Sequence, residues 1–170
     1  GGDWGACAGL QADRFCLLNL KTALRGLVSG ADRVALAAAL SGLPPGEGCG
    51  PELAGAAGPA ALPGLLPAGP LRDSLEKALG EGRDLFLAEA ALDRDHLAAQ
   101  ASFCGRLGGG DGEAAAALAA QEAAAFNLMT AALGRFHHSY GRAELAPLCA
   151  PRPTMAPRRL TSSVSWKSSS

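Results

Sequence analysis

The chain has no isoleucine, only three valines (Val28, Val34, Val164) and one tyrosine, and aromatic residues fill just 5% of its 170 positions. β-Sandwiches and barrels build their packed faces from those residue types, so an all-β fold is excluded. Uninterrupted apolar runs are missing as well: no stretch of ~18 residues escapes a charge, glycine or proline, which excludes a membrane-spanning helix. A basic excess is absent, the formal net charge being −1, and that argues against a general nucleic-acid-binding chain. Sequons are missing too, since neither Asn19 nor Asn127 begins an N-x-S/T triplet.

What is present is Ala, Leu, Gly and Pro, which together occupy 98 positions. This composition points to an all-α protein with a short N-terminal helix pair, a Pro/Gly-rich connection, a long antiparallel helical hairpin and a disordered basic tail. In residues 1–43, Leu17, Leu20, Leu24, Leu27 and Val28 follow the 3/4 spacing of one helix face. Asp13 is the expected N-cap of that helix and Gly30 its stop. Asp32 caps a second helix with Val34, Ala37 and Leu40 inward, ended by Pro44-Pro45. Residues 44–70 hold seven prolines and read as a linker or flexible excursion, because neither helix nor ladder continues through such spacing. Leu62, Leu65 and Leu66 are apolar enough to dock.

Residues 71–140 are expected to form the hairpin. Pro70 suits a first helical turn, Leu71, Leu75 and Leu79 share a face, and Leu85, Leu92, Ala99, Phe103 and Leu107 continue it. Gly80 and Gly82 each cost roughly 1 kcal/mol relative to Ala, so a kink or break belongs there. After the Gly108–Gly110 corner, Asp111 is placed to cap a helix over 113–140 ended by Gly141. Its stripe is Leu118, Ala125, Met129, Ala132, Phe136 and Tyr140, widened by Leu128 and Leu133. Residues 141–170 form a tail of formal charge +4 against −4 over 71–140, with a Pro- and Ser-rich end. The acidic character of the long helices argues against binding to anionic lipid, so membrane contact is not expected.

No constellation supports catalysis. Asp93-Arg94-Asp95-His96 is the densest polar cluster, but a di-metal bundle needs a second carboxylate-x-x-His, and Gly134 and Arg135 stand where it would lie. The cluster is read as a solvated helix face, and no metal or cofactor is expected. His137-His138 suits a helix C-terminus through its dipole. Cys104 reads as a packed thiol, and the triple glycine lacks the lysine and preceding strand of a P-loop. The five cysteines (Cys7, Cys16, Cys49, Cys104, Cys149) form no C-x-x-C pair and leave the compartment open. A direct 104–149 bridge is awkward, Cys7, Cys16 or Cys49 being better partners for Cys104. The balance leans slightly to reduced thiols. With no initiator methionine, the chain is expected to be a processed product or an excised piece.

The expected function is therefore a non-catalytic interaction or assembly module. It would bury an Ala/Leu/Phe helix face against a protein partner or a second copy of itself. The residues expected to carry it are Phe86, Phe103, Leu118, Met129, Phe136 and Tyr140. A secreted, disulfide-stapled helical ligand or receptor ectodomain is the alternative.

Overall fold

The computed structural model describes residues 2–40, 49–107 and 109–153, and among them it is all-α. Six helices follow in order: α1 (Gly2–Ser29), α2 (Arg33–Ala39), α3 (Pro70–Gly80), α4 (Leu85–Cys104), α5 (Gly109–Phe136) and α6 (Arg142–Leu145). Three 3-10 turns, Pro51–Gly55, Pro59–Leu65 and Ala146–Leu148, complete the regular structure. The Ser-rich end of the tail and the Pro44-Pro45 stop lie outside the described residues.

The first helix begins well before Asp13, which sits in its interior and caps nothing. Its Leu17, Leu20 and Leu24 are buried as the spacing predicts, while Val28 is exposed. Gly30 ends it in a left-handed conformation, φ 69°, which costs glycine nothing. Asp32 Oδ1 then accepts from the backbone N–H groups of Val34 and Ala35 at 3.0 and 2.9 Å, capping α2. The inward residues of α2 are Leu36 and Leu40, with Ala37 partly covered; Val34 is turned out to 78% exposure. Leu36 wins the inner position because Gly26 of α1 opens space for it: a Cβ on Gly26 would lie 2.6 Å from Leu36 Cδ1.

From Cys49 onward, the stretch expected as a linker is part of the core. Leu53 and Leu62 are fully buried and Leu66 nearly so, whereas Leu65 stays exposed. Pro51 and Pro59 each open a 3-10 turn, a short form that tolerates prolines where a long α-helix would not. Three ties fasten this stretch. Arg33 Nη1 donates to the Ala54 and Ala56 carbonyls at 2.6 and 2.5 Å. Buried Asn19 donates to the Cys49 carbonyl at 2.7 Å. Cys16 and Cys49 form a disulfide across 33 residues, with Cα atoms 5.0 Å apart. The expectation of reduced thiols is thus corrected for this pair.

Gly80 and Gly82 break the long helix into α3 and α4, with Gly82 at φ 65°. Asp84 caps the restart by accepting from the Leu87 N–H at 2.9 Å. α5 lies alongside α4 and runs the opposite way. Cys104 clusters with Ala116 and Ala119, Gln100 bonds Glu122, and Leu87 packs near Phe126. α5 starts at Gly109 and so takes Asp111 into its first turn, and it ends at Phe136 instead of continuing to Tyr140. Residues 141–150 are not a free tail. Glu144 accepts from the Gly141 N–H at 2.7 Å, Leu148 is buried against Ala78 and Ala91, and Ala150 exchanges two hydrogen bonds with Asn127.

The buried residues of α5 are small: Gly112, Ala116, Ala119, Ala123, Thr130 and Gly134. Their 3/4 spacing makes one seam, along which two backbones can approach closely. At Gly112 the close neighbour is the connection that follows α4, since a Cβ there would lie 2.3 Å from the Leu107 carbonyl oxygen. Helix propensity alone predicts that Gly112→Ala stabilises the protein by about 1 kcal/mol. Backbone overlap reverses that sign, and the expected outcome is a loss of about 1–3 kcal/mol in urea denaturation.

Candidate protein-interaction surface

With its small residues inward, α5 carries its bulky ones outward. Leu118, Met129 and Phe136 are 63%, 56% and 88% exposed, and Leu128 and Leu133 flank them at 71% and 45%. Steps of 11 and 7 residues separate the first three, so at 100° per residue they lie within about 20° of one line. That line extends about 27 Å along the helix. Leu118, Met129 and Phe136 of the stripe read from the sequence therefore share a line that faces away from the core, whereas Tyr140 lies beyond the end of α5.

Beside its C-terminal half lies an open apolar groove walled by Leu128, Ala131, Phe136, Tyr140, Leu145 and Cys149. Arg135 and Arg142 also line it. Gly134 shapes the near wall, because a Cβ there would fall 2.4 Å from Leu145 Cδ2. Leu145 thus packs directly onto the α5 backbone.

The other three residues expected on this surface serve internal contacts. Phe86, at the start of α4, stacks on His138 with ring centroids 4.4 Å apart and on Tyr140 at 5.9 Å. This cluster fastens the turn after α5 to α4. His138 is accordingly an aromatic packing partner rather than a lone dipole-facing group, with His137 edge-on at 5.0 Å. Phe103 packs beside Cys104, Ala116 and Ala119, with the Arg106 guanidinium 5.9 Å over its ring. All three are half-buried.

The polar cluster on α4 is not a solvated face. Lys21 Nζ of α1 donates to Asp93 Oδ2 at 2.6 Å, and Arg25 forks onto both oxygens of Glu89, Nε to Oε1 being 2.6 Å. Asp95 accepts from Ser74 Oγ at 2.5 Å and from Arg94. These carboxylates are thus committed to ion pairs and hydrogen bonds that join α1, α3 and α4. Among the described residues, no group of three or more His, Cys, Asp or Glu could hold a metal ion. Two pairs on α1 and α4, each four residues apart with opposite charge, are the signal that sequence reasoning missed.

A cavity of about 200 Å³ beneath the Pro67–Pro70 stretch is lined by Ser74, Asp95 and His96 among mainly apolar neighbours. The Ser74 hydroxyl donates to Asp95 Oδ2. No helix among the described residues is long and apolar enough to cross a membrane. Comparison with protein-family models, curated proteins and solved structures returns no match.

Burial lowers the His96 pKa below its ordinary value, and Arg14 pushes the same way against the opposing charges of Asp13, Asp93 and Glu122. The unfolded chain therefore takes up this proton before the folded one does, and stability falls as pH drops from about 6.5 through the folded pKa. The expected outcome is that His96→Gln loses less stability than wild type between about pH 7.5 and 5.5. Urea midpoints at the two pH values measure the difference.

Proposed function

We propose that this protein is a non-catalytic helical binding module that docks a partner through the outer face of α5. The single observation that carries the reading is the line of Leu118, Met129 and Phe136, exposed on a helix whose opposite side is already packed. Leaving large side chains in water forgoes ~1.5–3 kcal/mol apiece relative to full burial. Contiguous patches of this kind, unlike scattered single residues, mark interaction sites. A partner helix fits by chemistry, since i, i+7 anchors beside an apolar groove take an amphipathic helix. The partner is a second copy of the chain or a different protein.

A second reading, compatible with the first, is favoured by the Cys16–Cys49 disulfide. Bridges of this kind persist in oxidising compartments, which suits a secreted, stapled helical ligand or ectodomain.

Photo-crosslinking residues placed at positions 118, 129 and 136, with the exposed Val34 of α2 as control, test the interface. The proposal expects protein adducts at the three α5 positions at several times the Val34 yield. Sedimentation across concentration assigns them to self-association or to another chain. Equal yields at all four positions would contradict it.

A further inference from the structure

We propose that the partner taken by the outer face of α5 is a second copy of this chain, whose own α5 lies on it antiparallel about a twofold axis. This rests on the reading of that face as a docking surface, and adds what docks there and in which direction.

A twofold interface is self-complementary: residue i meets residue j of the copy, and j meets i. The exposed line of α5 has that property. Asp111 lies seven residues before Leu118 and is exposed like Leu118, Met129 and Phe136. At 100° per residue the four positions fall within about 20° of one line, about 38 Å long. Their steps of 7, 11 and 7 read the same from either end. Reversing the helix about the midpoint between 123 and 124 therefore lays Leu118 on the copy's Met129, and Met129 on the copy's Leu118. Phe136 then stands at the level of the copy's Asp111. Near the midpoint the exposed Ala125 is small, which lets the two axes approach. Glu122, the acid closest to the midpoint, is already held by Arg14 and Gln100.

Charge selects the same overlap. Arg135 and Arg142 line the groove beside Phe136. Neither they nor Asp111 makes an ion pair among the described residues. Antiparallel overlap brings the carboxylate of one copy to the two guanidiniums of the other, and symmetry repeats the match at both ends. Parallel overlap would set Asp111 against Asp111 and arginine against arginine, like charges that oppose association.

Sedimentation of the full chain across concentration, with charge-swapped variants, gives the test. The wild type is expected to dimerise. Asp111→Arg, and the double variant Arg135→Glu with Arg142→Glu, should each raise the dimer Kd about tenfold. An equimolar mixture of the two variants should recover wild-type association as a heterodimer, because every swapped charge again meets its opposite. A misfolded variant would not recover in this way, and absence of recovery overturns the charge-matched overlap.

A photo-crosslinking residue at position 118, in a mixture of isotope-labelled and unlabelled chains, reads the direction. Mixed-isotope adducts are expected on the segment holding Met129. Adducts joining position 118 to the same segment of the copy overturn the antiparallel arrangement. A strict monomer whose positions 118, 129 and 136 crosslink to other proteins well above the Val34 control overturns the second copy but leaves the docking face standing. A strict monomer with yields equal to that control overturns both.

Discussion

Close contact between α4 and α5 through small side chains governs the rest of the structure. Alanine and glycine bring two helix backbones together but bury little area per residue, so the seam of Ala116, Ala119 and Ala123 contributes less than a leucine seam would. The same choice sends Leu118, Met129 and Phe136 to the outside. Two properties follow from one arrangement: a thin internal contact that needs support, and a bulky external face with nothing upon it among the described residues.

Support comes from both flanks. α1 lays its Leu17, Leu20 and Leu24 into a core shared with Leu53, Leu62, Leu75 and Leu92, which is where most large side chains are buried. Its polar edge reaches α4 through Lys21 and Arg25. Glu89, the partner of Arg25, is 9% exposed. Its fork of hydrogen bonds fixes the relative level of the two helices, because an unpaired buried carboxylate is costly. The Arg25 guanidinium responds in kind, its pKa raised chiefly by the hydrogen bond to Glu89. On the other flank, Leu145 and Leu148 fold back over α4 and α5, and the Phe86–His138–Tyr140 stack closes the end of the pair.

Much of this was legible in the residues. Leucine spacing in α1, the Asp32 cap, the left-handed Gly30 and the break at Gly80–Gly82 all arise from local chemistry that a neighbour does not alter. The rotation of α5 was not legible. Alanine is compatible with either side of a helix, so the side taken inward depends on which neighbour can approach the backbone, as Gly112 and Gly134 allow. Residues 49–66 were misjudged because prolines exclude a long helix but not a 3-10 turn, and Arg33 and Asn19 satisfy the carbonyls that such turns leave open. Likewise, Asp93 and Glu89 look like a wet face until Lys21 and Arg25 are brought to the same level by tertiary packing. Of the candidate surface, Leu118, Met129 and Phe136 were recognisable from their periodicity. Phe86, Phe103 and Tyr140 share its apolar character, yet the turn after α5 and the α4 end draw them into internal contacts.

The outward orientation of α5 is most directly tested by hydroxyl-radical footprinting of the monomeric protein, read by mass spectrometry. The account predicts that Met129 and Phe136 are oxidised at close to the rate of the urea-unfolded chain, while buried Leu20 and Leu24 are strongly protected. Protection of Met129 and Phe136 equal to that of Leu20 in a verified monomer would contradict it.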